Sequence, residues 1–230
     1  MLIFLMASIF GCESNTNNTT NTTTASPSNT SKTEVKKTNK KKKKIMFFGD
    51  SLTAGYGLDD PSESYVGVIQ EKLDSLKRDY QVINAGVSGE TSSGGNERID
   101  WVLEQSGEGV DIFILELGAN DGLRGIEPDV TIKNLQAIFD KVKAKFPKTK
   151  LVLLGMLAPP NMGGGFTKKF AAIFPKLAKE NAAAFVPFLL DGVGGIPELN
   201  QKDGIHPTQK GHRILADNVW KVLGGMTVDG

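Results

Sequence analysis

From Lys44 onward, short apolar runs alternate with longer amphipathic stretches, and that alternation leaves few folds open. The runs are Ile45-Met46-Phe47-Phe48, Tyr80-Gln81-Val82-Ile83, Asp111 to Leu117 (DIFILEL), Leu151-Val152-Leu153-Leu154 and Ala184-Phe185-Val186-Pro187-Phe188. Their length and their bounding Gly, Asn and Pro residues suit buried strands. Between them the pattern predicts helices over 62–78, 92–106, 128–146, 167–181 and 207–223. Pro128 and Pro207 suit first helical turns. In 128–146, Val130, Leu135, Ile138, Phe139 and Val142 recur mostly at three- and four-residue steps, which gives one buried face. Strands alternating with helices argue for a parallel sheet covered on both faces. The reading is one doubly wound α/β domain, and about 180 residues is ample for its core.

In such sheets ligands bind beyond the carboxyl ends of the strands. Polar and glycine-rich clusters follow each run: Gly49-Asp50-Ser51, Asn84 to Gly89, Gly118 to Gly122, Ala158 to Asn161, and Asp203 to Pro207. A serine hydroxyl is a weak nucleophile that needs a base within hydrogen-bond reach, itself oriented by a third group. The chain has two histidines. His206 follows Asp203 by three residues, a spacing that can set the carboxylate on one ring nitrogen and leave the other for Ser51. His212 lies inside the expected last helix and reads as a surface or packing residue. Acyl transfer also needs donors aimed at the developing oxyanion. The candidates are the N–H groups of Ser51 and Gly89 and the side-chain amide of Asn120. Taken singly, each has a plainer reading. Asn120-Asp121-Gly122 is a common turn sequence and Ser88-Gly89 could be a loop; their agreement in position favours chemistry.

Four blocks, Gly49 to Leu52 (GDSL), Asn84 to Ser92 (NAGVSGETS), Glu116 to Gly125 (ELGANDGLRG) and Asp203 to Pro207 (DGIHP), resemble those of the SGNH (GDSL) hydrolases. The resemblance is nearest to the bacterial thioesterase–protease–lysophospholipase and arylesterase branch and spans residues 45–223. It implies a flavodoxin-like three-layer α/β/α fold with five parallel strands. It also implies Ser51 as nucleophile, His206 as base, Asp203 as its orienter, and an oxyanion hole of Ser51, Gly89 and Asn120. No metal or organic cofactor is implied. The chain lacks the G-x-S-x-G elbow of ordinary α/β-hydrolases, since Thr53 stands two residues after Ser51.

The N-terminal part reads differently. Residues 1–11 (MLIFLMASIFG) are apolar but shorter than the roughly 20 residues a membrane span requires. They end at Cys12, the one cysteine of the chain. This resembles a bacterial lipoprotein signal with Cys12 as the lipidated residue, although no Lys or Arg precedes the apolar run. A plain secretory signal with an incidental cysteine is the second reading, and a cytoplasmic protein with a stray apolar start the third. Residues 12–44 are Asn-, Thr- and Lys-rich and hold almost nothing that could be buried, so a disordered tether is expected. As a flexible chain its length would span roughly 30 Å. Residues 13–44 hold eight lysines and two glutamates, a charge of +6, against +1 for the whole chain, so residues 45–230 carry −5. A mildly acidic domain without a basic stripe argues against nucleic-acid binding. The expected organisation is signal 1–11, tether 12–44, hydrolase domain 45–224 and tail 225–230, with an extracytoplasmic location and a lipid-anchored attachment to a membrane.

Leu123, in the stretch after Asn120, and Leu157, Met162 and Phe166, after the fourth run, are candidates for an acyl-binding groove. Gly163 to Gly165 suggest a mobile lip beside it. Packing against the core is an equally weighted reading of these residues. The expected activity is a serine esterase acting on carboxylic esters or thioesters, with a lysophospholipid or aryl ester as substrate. A carbohydrate acetylesterase is the alternative on the same fold. A flavin- or phosphate-binding module is a third reading, disfavoured because it has no use for Asp203 and His206 and because no G-x-x-x-x-G-K-[ST] loop occurs.

Overall fold

A computed structural model describes residues 42–228. The expected signal, Cys12 and nearly all of the tether lie outside the described residues. Five strands, β1 (Lys43–Gly49), β2 (Tyr80–Gly86), β3 (Ile112–Glu116), β4 (Lys150–Leu154) and β5 (Ala184–Val186), pair in the order β2-β1-β3-β4-β5, parallel throughout. Seven helices connect or follow them: α1 (Ser51–Ala54), α2 (Tyr65–Ser75), α3 (Ser92–Gln105), α4 (Ala119–Arg124), α5 (Pro128–Lys145), α6 (Gly164–Glu180) and α7 (Gln209–Met226). α2 packs on α7, while α3 packs on α5 and α5 on α6, so the sheet lies between two helical layers. This is the expected α/β/α fold. The central strands are buried along Ile45–Phe48 and Ile112–Leu115, which explains why they read as continuous apolar runs. Strand order reverses direction between β1 and β3, and the crevice at such a reversal is where ligands bind.

Several boundaries differ from the sequence reading. β1 begins at Lys43, so the last tether residues belong to the sheet. The Lys44 N–H donates to Asp111 Oδ2 (2.7 Å) and Lys44 Nζ to the Ser106 carbonyl (2.6 Å), which anchors this end. α2 is shorter than 62–78 because a 3-10 turn, Pro61–Glu63, precedes the capping Ser64. α6 starts earlier than expected: Gly163 is its N-cap, and Gly164 and Gly165 form its first turn rather than a free lip. Pro207 lies before α7, not in its first turn. Thr208 caps that helix by accepting the Gly211 N–H, and Pro207 pairs with Asn200 in an antiparallel bridge. α7 also runs two residues past the expected domain end, to Met226.

Candidate active site

The end of β1 presents Ser51. Asp50 caps the one-turn helix α1 through its Oδ1, which accepts the Leu52 N–H (3.0 Å), and Gly55 (φ 76°) ends that helix in a left-handed turn. The turn is pressed from the side by β2. A Cβ at Gly86 would collide with the backbone of Thr53 and Ala54, and Asn84 Nδ2 donates to the Thr53 carbonyl (2.8 Å). Ser51 is largely buried, at 9% exposure. Since α1 is only a single turn, local N–H groups rather than a helix dipole would act on negative charge there.

The loop ahead of α7 brings the other two residues. Asp203 Oδ1 accepts the N–H groups of Ile205 (2.9 Å) and His206 (3.0 Å), which closes a tight turn through Gly204 (φ 70°). The second oxygen, Oδ2, lies 2.7 Å from His206 Nδ1, and His206 Nε2 lies 3.0 Å from Ser51 Oγ. One carboxylate therefore builds the loop and orients the ring. The His206 side chain, followed by the N–H groups of His206 and Ile205, holds Asp203 down at about 2, far into the ionised range. Tyr56 packs its ring against His206 at 4.5 Å between centroids and is half exposed. His212 is a packing residue: it is buried, its Nδ1 accepts the Tyr65 N–H (3.1 Å), and its ring stacks on Tyr65. Burial, followed by the charge of His206, pushes it down to about 4.

The three oxyanion candidates differ in how they are engaged. Neither the Ser51 nor the Gly89 N–H has a hydrogen-bond acceptor among the described residues. Gly89 sits at φ 80°, where a side chain would be strained, and Arg124 Nη2 holds its carbonyl at 3.0 Å. The Asn120 amide, by contrast, is fully engaged: Nδ2 donates to Asp50 Oδ2 (3.1 Å) and to the Glu90 carbonyl (3.0 Å). Glu90 is fixed in turn by Arg98, through Nε (2.7 Å) and Nη2 (2.6 Å). Arg98 also donates to the Ala85 carbonyl and lies over the Phe48 ring. Asp121 ties α4 to its neighbours by accepting from the N–H and hydroxyl of Ser92 and from the Thr131 hydroxyl. Of the groove candidates, Leu123 and Leu157 are exposed. Phe166 stacks on Phe170, and the Met162 methyl lies against the Gly125 backbone, just past Asn120's helix.

Arg98, Arg124 and Tyr56 were not distinguishable as site residues in the sequence. The two arginines look like surface charges until the loop they hold is seen. Asp50 was visible beside Ser51, but its grip on Asn120 depends on β1 and β3 being neighbours.

A family model, the GDSL-like lipase/acylhydrolase family, matches residues 47–214. The chain belongs to that family. It is 38% identical over 179 residues to esterase TesA of Pseudomonas aeruginosa, covering 78% of this chain and 87% of the relative. It is 36% identical over 179 residues to thioesterase 1/protease 1/lysophospholipase L1 of Escherichia coli K12, covering 78% and 82%. Among solved structures, the psychrotrophic esterase EstA of Pseudoalteromonas sp., inhibited by monoethylphosphonate, superposes with a TM-score of 0.74 at 33% identity, covering 81% of this chain and 99% of that one. This GDSL hydrolase is a serine esterase.

Proposed function

We propose that Ser51, His206 and Asp203 carry the hydrolysis, with Gly89, Asn120 and the Ser51 N–H as the oxyanion hole. The observation that carries this reading is the unbroken line from Asp203 Oδ2 through the His206 ring to Ser51 Oγ, at 2.7 and 3.0 Å. Asp203 holds His206 with its Nδ1–H toward the carboxylate, so Nε2 is free to take the Ser51 proton as the hydroxyl attacks the ester carbonyl. The oxyanion forms beside the free N–H groups of Ser51 and Gly89. The Asn120 amide adds a third donor by turning one of its two N–H groups onto that oxygen. His206 then returns its proton to the departing alcohol or thiol. Water, activated by the same histidine, releases the acid from the Ser51 ester. Hydrolysis of p-nitrophenyl esters from acetate to palmitate, by the chain and by Ser51→Ala, tests the assignment. Activity should vanish in the variant; activity retained there would end this mechanism. An optimum at acetate would favour a carbohydrate acetylesterase, and a longer optimum a lysophospholipase-like enzyme.

The apolar N-terminal run ending at Cys12 supports lipidation there and an extracytoplasmic, membrane-held enzyme. In that setting lysophospholipid or aryl esters are the fitting substrates, since acyl-coenzyme A is a cytoplasmic compound. The exposed Leu123 and Leu157 give an acyl chain apolar surface near Asn120. Cys12→Ser should move the protein from the membrane to the soluble fraction; an unchanged distribution would exclude the anchor.

A further inference from the structure

Directly behind Ser51 lie two carboxyl groups that the reaction does not consume. Asp50 and Glu116 are both fully buried, and no Lys or Arg forms an ion pair with either among the described residues. Glu116 is the last residue of β3. Its Oε2 accepts the Thr53 hydroxyl (2.7 Å) and the Asp50 N–H (3.1 Å), while its Oε1 is buried with no hydrogen-bond partner. With Glu116 Oε2 accepting the Thr53 hydroxyl, the Tyr65 hydroxyl 2.7 Å away donates to Thr53 Oγ1, and a proton on Glu116 sits on Oε1. The relay thus runs from Tyr65 on α2, through Thr53 on α1, to Glu116. Gly49 makes room for it, since a Cβ there would overlap both Thr53 Oγ1 and Glu116 Oε2.

A carboxylate in this position would leave one charged oxygen bare in an apolar interior, next to a second carboxylate. Buried charges without partners take up a proton instead. We propose that Glu116 is a positioning residue that works as an un-ionised acid, fixing the Gly49–Thr53 turn that presents Ser51 and, through Asp50, aiming the Asn120 amide. Burial, then the neighbouring Asp50 charge, raises Glu116 well above the usual carboxylate range. Burial likewise raises Asp50, to about 6, against the lowering pull of the Leu52 N–H, Glu116, Asn120 and the charge of His206. The remaining titratable groups facing the pair are Tyr65, itself raised by burial and by Glu116, and His212 stacked upon it. The bare Oε1 puts the pair's proton on Glu116, and the donors on both Asp50 oxygens, the Leu52 N–H and the Asn120 amide, favour the negative charge there. That charge accepts one of the Asn120 N–H groups and keeps the amide beside Ser51.

The role assigned to Glu116 rests on Ser51 as nucleophile, but its protonation state can be read without any turnover. Difference infrared spectra of the full chain against Glu116→Gln at pH 8 should show the carbonyl stretch of a buried carboxylic acid, lost in the variant. No such band would overturn the proposal. Kinetics supply the second arm. Glu116→Gln, a neutral isostere, should keep kcat and its pH profile close to those of the unaltered protein. Glu116→Ala should lose about 10²-fold in kcat with little change in KM, the cost of a displaced site. Equal loss in Gln and Ala would mean that the charge matters, and full activity in Ala would mean that the residue does not; either outcome sinks the proposal. If the Ala variant fails to fold, Thr53→Val removes the donor to Glu116 at similar volume and should reproduce the kcat loss; unchanged kcat there would count equally against it.

Discussion

Ser51 stands between two acidic systems of opposite character. In front, Asp203 is exposed at 39% of its side chain, accepts two backbone N–H groups and a histidine, and stays ionised down to about pH 2. Behind, Asp50 and Glu116 are sealed from water and pushed in the other direction. Both are built from the same chemical group. Water and donors around the front carboxylate keep a charge that can steady an imidazolium as it forms. Burial behind suppresses charge, and the carboxyl groups there serve as hydrogen-bonding struts. What a carboxyl group does beside the candidate serine is set by its solvation, not by its proximity.

Ser51→Ala should lower kcat by about 10⁴-fold or more, as measured by ester hydrolysis. At the front, Asp203→Asn should cost about 10²–10⁴-fold by presenting His206 in the wrong tautomer. Partial exposure of Asp203 lets water substitute in part, so the lower end is expected, and no loss would remove Asp203 from the mechanism. At the junction of the two systems, Asn120→Ala should reduce kcat by about 10²–10³-fold with a smaller change in KM, which steady-state kinetics would resolve. At the back, Gly49→Ala should destabilise the fold by about 1–3 kcal/mol in urea denaturation, because the new methyl displaces Thr53 and Glu116. Wild-type stability would mean that the relay is looser than its geometry implies.

The smallest expected effect concerns acid stability. His212 is held neutral in the fold to about pH 4 but titrates near 6.5 when unfolded, so the unfolded state binds the extra proton between those values. Stability contributed by His212 is complete above pH 6.5 and is lost as pH falls toward 4, by about 2.5 kcal/mol at pH 4.5. Asp50 has the reverse sign: the fold binds its proton first, so its contribution is present below about pH 3.8 and lost as pH rises through about 6. The two slopes oppose each other between pH 4 and 6. His212→Asn should unmask the Asp50 slope, so that urea midpoints rise as pH falls from 6 to 4.5. A midpoint that still drops in the variant would show that the rear carboxyls are not raised.

The front of the site was legible in the sequence because its residues follow strand ends and sit close together in the chain. Asp203 and His206 are three residues apart, and Ser51 and Asn120 each open the turn after a central strand. The rear was not legible. Glu116 lies near the end of an apolar run, and Thr53, its partner, and Tyr65 beyond it sit on two different helices, so their meeting depends on the pairing of β1 with β3 and the packing of α2. The available signal was a lone acid inside a buried strand, where unpartnered carboxyls are rare. Helix starts were misplaced for local reasons. Pro207 favours a first helical turn in general, but here its carbonyl and the neighbouring Thr208 N–H are taken up by Gln201 and Leu199, which keeps the segment extended. Gly163 to Gly165 look like a lip because glycine disfavours helix, yet the aromatic face of Phe166, Phe170 and Phe174 carries α6 back through them.

β1 is paired on both sides along its length, with β2 and with β3, and the chain enters it at Lys43. Six steps of about 3.3 Å put Gly49 roughly 20 Å from that point. A force drawn on the chain ahead of Lys43 would load both hydrogen-bond ladders along the strand, in shear, rather than peel them apart one bond at a time. The reactive turn lies at the far end of the loaded element, so tension at one pole of the sheet would reach the serine last.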